Sequence, residues 1–289
     1  MQEQPVANVR WGEWISEGWQ MFADKWQVWV LQMLIVFLVF AVPSIPLYLT
    51  MLAMPSTAEP GQPPEFPPMF FPMFGGMGLL ALLAGPFLIS GLYKTAFKQL
   101  RGEPISVGDL FSGGDIFLRV LGSFFAMGFF VILGFLLCIL PSYVAMGLLF
   151  FTVPLIVERD LSIGEALSTS YNTVKSNWFM FTLFVFVLGI LASVGSFACY
   201  VGLLATYPLH FTVTAIAYRD VFGVAGARSF LNNQPQYPTN YAPQAFPPPQ
   251  SLFETPSQQE ATASICPNCG TQIVRAARFC SKCGASIGA

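Results

Sequence analysis

Charge is what this sequence has least of. Only 10% of its 289 residues are Asp, Glu, Lys or Arg, against about 25% in an ordinary soluble domain. So few charges cannot cover a surface in water. With 54% hydrophobic residues and a mean hydropathy of +0.60, the chain reads as a membrane body. Histidine occurs once, at His210, so a His-rich metal centre is excluded. There is no Ser–His–acid set, no phosphate-cradling glycine loop and no zincin motif, so no enzymatic activity is expected. The net charge of −2 implies no polyelectrolyte partner. The opening MQEQPVANVRWGEW lacks a basic stretch running straight into an apolar one. A cleavable signal peptide is therefore not expected, and the first apolar span serves as an uncleaved anchor.

What the sequence does have is a repeated phrase: Gly, an acid, any residue, a large apolar residue, Ser. It reads GEWIS at 12–16, GDLFS at 108–112 and GEALS at 164–168. Wider matches support it. SVGDLFS aligns with SIGEALS, and FTVPLIVERD (151–160) aligns with FTVTAIAYRD (211–220). Trp26 falls opposite Trp178 when Gly12 is set on Gly164. Self-similarity of this kind points to one unit used three times. Each copy opens an amphipathic segment, and each is followed by two apolar spans.

The spans fall at about 28–52, 77–97, 116–140, 143–157, 178–197 and 201–218. Most have the roughly 20 apolar residues that cross a bilayer, and the fourth is short. Only Pro141 and Ser142 separate the third from the fourth, so a tight hairpin turn is expected there. Residues 9–27 read as an interfacial helix with Trp11, Trp14, Ile15, Trp19, Phe22 and Trp26 on one face, and Glu13, Glu17, Gln20 and Asp24 elsewhere. Ile163, Ala166, Leu167, Tyr171 and Val174 make a similar face. Ser106 with Asp109, and Ser162 with Glu165, have capping-box spacing. The fold class expected is thus an all-α polytopic membrane protein: six transmembrane helices as three repeats of interfacial helix plus helical hairpin, with a small C-terminal zinc ribbon.

Orientation follows from the 13 Lys and Arg residues. Arg10 and Lys25 precede the first span. Lys94, Lys98, Arg101 and Arg119 flank the second and third. Arg159 and Lys175 lie between the fourth and fifth, and the rest follow the sixth. The three opposite turns contain none. The positive-inside rule then puts both termini and all three amphipathic helices in the cytoplasm.

From about residue 230 the composition shifts to Pro, Gln and Asn, as in QPQYPTNYAPQAFPPPQ. Such a stretch cannot build a core and reads as a disordered linker. A linker of that length spans on the order of 30–35 Å r.m.s.. The domains expected are an N-terminal segment 1–27, a membrane domain 28–222, the linker 223–264 and a zinc ribbon 265–289.

The tail carries the one motif with a defined chemistry. Cys266, Cys269, Cys280 and Cys283 stand as C-x2-C-x10-C-x2-C. Each pair is followed by glycine, Gly270 or Gly284, which lets the backbone turn. Two such knuckles can close four thiolates around one Zn2+, a structural site with no open position. In so small a module the metal supplies much of the folding free energy. A cytoplasmic setting disfavours disulfides, a redox pair needs a larger scaffold, and iron is the alternative metal. Arg275, Arg278 and Lys282 largely balance the −2 of zinc with four thiolates, so nucleic acid is not the expected partner.

Other singular residues have plainer readings. His210 lies in an apolar span, but the repeat sets it opposite Phe150. It is read as structural. Cys138 and Cys199 are read as small hydrophobes. Glu158, Asp160 and Asp220 sit beside Arg159 and Arg219 and are read as local ion pairs.

Two resemblances follow from these motifs. The CPNCG and CSKCG knuckles resemble the bacterial zinc-ribbon module over about 265–287, with the four cysteines on its ligand positions. The body, through FTVPLIVERDLSIGEALSTSYNTVKSNW, is similar to uncharacterised six-span bacterial membrane proteins. These are related to the membrane domain attached to some glycerophosphodiester phosphodiesterases. No phosphodiesterase part is present. The resemblance implies a bacterial inner-membrane location and no catalytic residue. Two functions fit: a non-enzymatic membrane adaptor whose ribbon docks a protein partner, and a transporter or lipid-handling body.

Overall fold

The computed structural model describes residues 9–53, 68–137, 139–197, 202–230, 264–265 and 272–273. The chain divides into two compact units, Met1–Pro243 and Gln244–Ala289. Among the described residues the regular elements of the first unit are all helices, with α1 Trp11–Asp24, α2 Trp26–Ala53, α3 Phe70–Leu100, a 3-10 helix Val107–Asp115, α4 Phe117–Leu137, α5 Ile139–Leu148, α6 Thr152–Arg159, α7 Ile163–Val174, α8 Trp178–Ser193 and α9 Leu203–Phe222. The second unit contains β1 Ser264–Ile265 paired antiparallel with β2 Gln272–Ile273.

Among the described residues five helical stretches are long and apolar enough to cross a membrane: Trp26–Leu52, Phe70–Leu100, Phe117–Leu137, Ile139–Arg159 and Ile163–Ser196. Their outward faces are apolar, as α4 illustrates with exposed Phe125, Phe129, Ile132 and Leu136. Such faces suit lipid rather than water, and the body is compatible with a multi-pass membrane protein. The sixth expected span falls on α9, which does not meet the same apolarity. It carries His210, Arg219 and Asp220 and is buried from Pro208 to Arg219, apart from the half-buried His210.

The packing is layered. α3, α6 and α9 touch one another pairwise at the centre. α2 lies against α3 and α9, α4 against α3, α5 and α6, and α8 against α5 and α9. The amphipathic segments sit on the inner helices: α1 on α9, the 3-10 helix on α3, and α7 on α6. Each inner helix ends in a residue of positive φ: Gly102 (78°), Asp160 (56°) and Gly223 (73°). Glycine adopts this without strain. Asp160 is held there by Arg119, which bonds both its carbonyl and its carboxylate.

The hairpin turn lies earlier than the sequence pattern suggests. α4 ends at Leu137 and α5 starts at Ile139, so Pro141 and Ser142 stand in the first turn of α5 rather than between the helices. Proline is tolerated there because the first-turn N–H groups have no intrahelical partner. Between α5 and α6 the helix breaks at 149–151. The Ser170 hydroxyl of α7 mends the break, donating to Leu148 O (2.8 Å) and accepting from Phe151 N–H (3.2 Å). A freed backbone group inside a bundle needs such a partner.

The two expected capping boxes form. Asp109 accepts from Ser106 N–H at 2.6 Å, and Glu165 from Ser162 N–H at 3.0 Å. In α1 the corresponding cap position holds Arg10, which pairs with Glu13.

Candidate functional site

The repeated phrase buries a different residue from the one its pattern emphasises. The variable third position is fully buried in all three copies: Trp14, Leu110 and Ala166. The large apolar position points outward or stays partly covered, and Phe111 is exposed. The phrase is therefore a docking peg whose size is set by the pocket beneath it.

α1 shows what the peg carries. It buries Trp14, Glu17, Gly18, Met21 and Phe22, while Trp19 and Trp26 of the expected aromatic face stay exposed. Glu17, read from sequence as lying off the apolar face, is only 3% exposed. Its carboxylate accepts two bonds from the Arg219 guanidinium, at 2.6 and 2.9 Å, and a third from Phe230 N–H at 2.8 Å. Asp220 accepts from Arg219 (2.7 Å), Arg10 (2.6 Å) and the Trp14 indole (2.9 Å). Two acids and two arginines thus form one closed network, in which every buried charge has a partner of opposite sign. Most of these pairs join distant segments, while Arg219 with Asp220 is a local pair of the expected kind.

Residues 223–230 are bound into this junction. Arg228 N–H donates to Leu100 O (3.0 Å) and its Nε to Gln99 O (3.2 Å), which satisfies carbonyls at the end of α3. Arg219 in turn donates to Arg228 O at 3.1 Å. The first residues of the expected linker 223–264 are therefore seated on the body.

A cleft of about 370 Å³ opens between α3, the 3-10 helix and α6. Lys98 bonds Asp109 (2.6 Å), Lys94 bonds Ser112 O (2.8 Å) and pairs with Asp115, and Arg101 bonds both oxygens of Glu158 at 2.9 Å. Burial works against the Asp109 charge, but Lys98 and Ser106 outweigh it and hold the carboxyl below its ordinary value. Burial likewise opposes the Arg101 charge, and Glu103 with Glu158 outweighs it, raising that guanidinium. The cleft's charges are thus satisfied internally.

His210 packs edge-on against Phe150 and Phe211, at centroid distances of 6.4 and 5.4 Å. Its contacts are those of an aromatic packing residue, and its partner Phe150 is the residue that the repeat sets opposite it.

Cys266, Cys269, Cys280 and Cys283 lie outside the described residues, as do Cys138 and Cys199. The described strands bear on the first knuckle. Their register pairs Ile265 with Gln272 and Ser264 with Ile273. This brings together the two ends of segment 266–271, which contains Cys266 and Cys269.

Residues 265–287 match the zinc-ribbon domain family. A search of curated proteins and a search of solved structures each return no match. The C-terminal part of the chain is accordingly a zinc-ribbon domain, following a helical body with five membrane-length apolar helices among its described residues.

Proposed function

We propose that this chain is a non-enzymatic adaptor of the bacterial inner membrane, with a cytoplasmic zinc ribbon on a flexible linker that docks a protein partner. In this reading the body has six spans, α9 being the last, arranged as three parallel repeats with both termini in the cytoplasm. Its relation to the membrane domain of some glycerophosphodiester phosphodiesterases is part of the same reading. Cys266, Cys269, Cys280 and Cys283 hold one Zn2+, which supplies a rigid fold rather than a reaction. The support for three repeats is the alternation of inner and outer helices, with one amphipathic segment seated on each inner helix.

The observation that carries the proposal is the zinc-ribbon match at 265–287, in a chain whose body offers membrane-length helices but no reactive constellation among its described residues. A structural metal module on a long linker raises the local concentration of whatever it binds at the membrane. The test is cross-linking in cells followed by purification of the full chain and of a Cys266→Ser/Cys280→Ser variant, with insertion of both checked. A partner lost only from the variant supports the adaptor. Identical partner lists count against it and turn attention to transport or lipid handling. For that alternative, the polar cleft beside α3 is the supporting observation, weakened by cations that are already paired.

A further inference from the structure

Arg10, Lys94, Lys98, Arg101, Arg119 and Arg219 each meet a carboxylate. Two lysines do not. Among the described residues Lys25 and Lys175 have no ion pair, and both are exposed. They hold the same position in the architecture. Lys25 follows α1 and precedes Trp26, the first residue of α2. Lys175 follows α7 and opens the short 3-10 turn before Trp178, the first residue of α8.

Each corner also presents an uncovered indole. Trp26 is 53% exposed and Trp178 47%. Further along the same helices Leu34 on α2 and Phe186 on α8, each eight residues on from its tryptophan, are exposed as well and continue an apolar wall. Lys175 donates to Asn172 Oδ1 at 2.8 Å and lies 5.7 Å from the Tyr171 ring centroid. Neither contact neutralises its charge. The third corner, between the 3-10 helix and α4, differs: there Arg119 is paired with Asp160 of the chain itself.

We infer that Lys25 with Trp26, and Lys175 with Trp178, are two quasi-equivalent seats for anionic phospholipids of the leaflet that faces the amphipathic helices. The lipid phosphate meets the ammonium, and the upper acyl chain lies on the indole and the apolar wall beneath it. A soluble anion would satisfy the lysine but leave the ring and wall uncovered. A zwitterionic lipid brings its own cation and gains less from the lysine. Tryptophan at headgroup level and lysine reaching toward phosphate are each favourable there. The inference rests on the membrane reading above.

The test uses the full chain in nanodiscs of phosphatidylcholine with a minor fraction of phosphatidylglycerol. One lipid or the other is brominated near the top of its acyl chains, and quenching of tryptophan emission is measured. Wild-type protein is expected to be quenched more per mole by the phosphatidylglycerol. A basic residue near an anionic surface contributes enough to change local lipid occupancy about fivefold. The Lys25→Gln/Lys175→Gln variant is therefore expected to lose about fivefold of the preference, while Lys25→Arg/Lys175→Arg keeps it. Equal preference in wild type and the Gln variant would overturn the inference, as would loss of the preference on adding soluble glycerophosphate. Absence of quenching by either lipid would overturn the membrane reading itself, and this inference with it.

Discussion

The α1–α9 junction and the junction of the 3-10 helix with α3 place similar pegs on similar inner helices, yet they are fastened differently. Both rely on a close backbone approach. A Cβ on Gly18 would come within 2.4 Å of Val213 Cγ2, and one on Gly91 within 1.9 Å of Leu110 O. The 3-10 helix is joined to α3 by a short connection, and its ion pairs are more open to solvent: Lys94 and Asp115 are 22% and 64% exposed, Lys98 and Asp109 33% and 12%. Glu17 and Arg219 stand 202 residues apart, and their side chains are 4% and 7% exposed. Where the chain itself holds the peg, exposed pairs suffice. Where the partner comes from the far end of the chain, a buried and fully satisfied network selects it. Such a network contributes more to specificity than to net stability, because desolvation offsets most of its attraction.

The largest effect should come from leaving half of that network. Glu17→Ala is expected to cost about 3–5 kcal/mol, because it leaves the buried Arg219 with only Asp220, a carboxylate that Arg10 also shares, read as a large drop in thermal stability in detergent. Glu17→Leu combined with Arg219→Met should recover much of that loss. Full additivity of the two losses would show that the two residues do not act as one pair.

Next come the glycines. Gly91→Ala and Gly18→Ala are each expected to destabilise by about 1–3 kcal/mol through overpacking. Gly91 should lie at the high end, since it meets the backbone oxygen of a held segment. Gly164→Ala meets nothing within 4 Å and should instead stabilise α7 slightly, by up to about 1 kcal/mol. A denaturation series on the three variants checks the order. A destabilising Gly164→Ala would show that the phrase needs glycine for a reason other than space.

The smallest effect separates the exposed pairs from the buried one by pH. The Asp109 carboxyl lies below its ordinary value, so the unfolded chain takes up its proton first. Its contribution is full above the ordinary carboxylate value and is lost as pH falls through the lower folded value. Asp109→Asn should therefore lower stability near neutrality and leave it little changed at low pH, which flattens the acid limb of a stability–pH profile. An unchanged acid limb would mean that Lys98 contributes nothing through Asp109.

Much of this was legible in the sequence. The 3.6-residue periodicity, the capping pairs and the spacing of the four cysteines depend on neighbours within a few positions, and the helices, the capping boxes and the zinc-ribbon match follow from them. What was not legible depends on partners far away. Trp14, Leu110 and Ala166 differ so much in size that the position reads as unconstrained, although each fills its own pocket completely. Glu17 reads as a solvent-facing acid because its reason for being buried, Arg219, lies on another helix. Pro141 reads as a turn because proline breaks helices, whereas here it starts one. α9 reads as a plain apolar span, yet its burial lets it carry threonines and charges that a lipid-facing helix could not.

The seating of α1 on α9 also has a consequence for how the chain is made. α1 is synthesised about 200 residues before the arginine that neutralises Glu17. Until α9 and residues 223–230 have emerged, Glu17 lacks every partner that neutralises or bonds it. The helix made early is thus among the last to be seated. The burial of Glu17 reports completion, so a chain that stops before α9 keeps an unpaired carboxylate that a finished chain conceals.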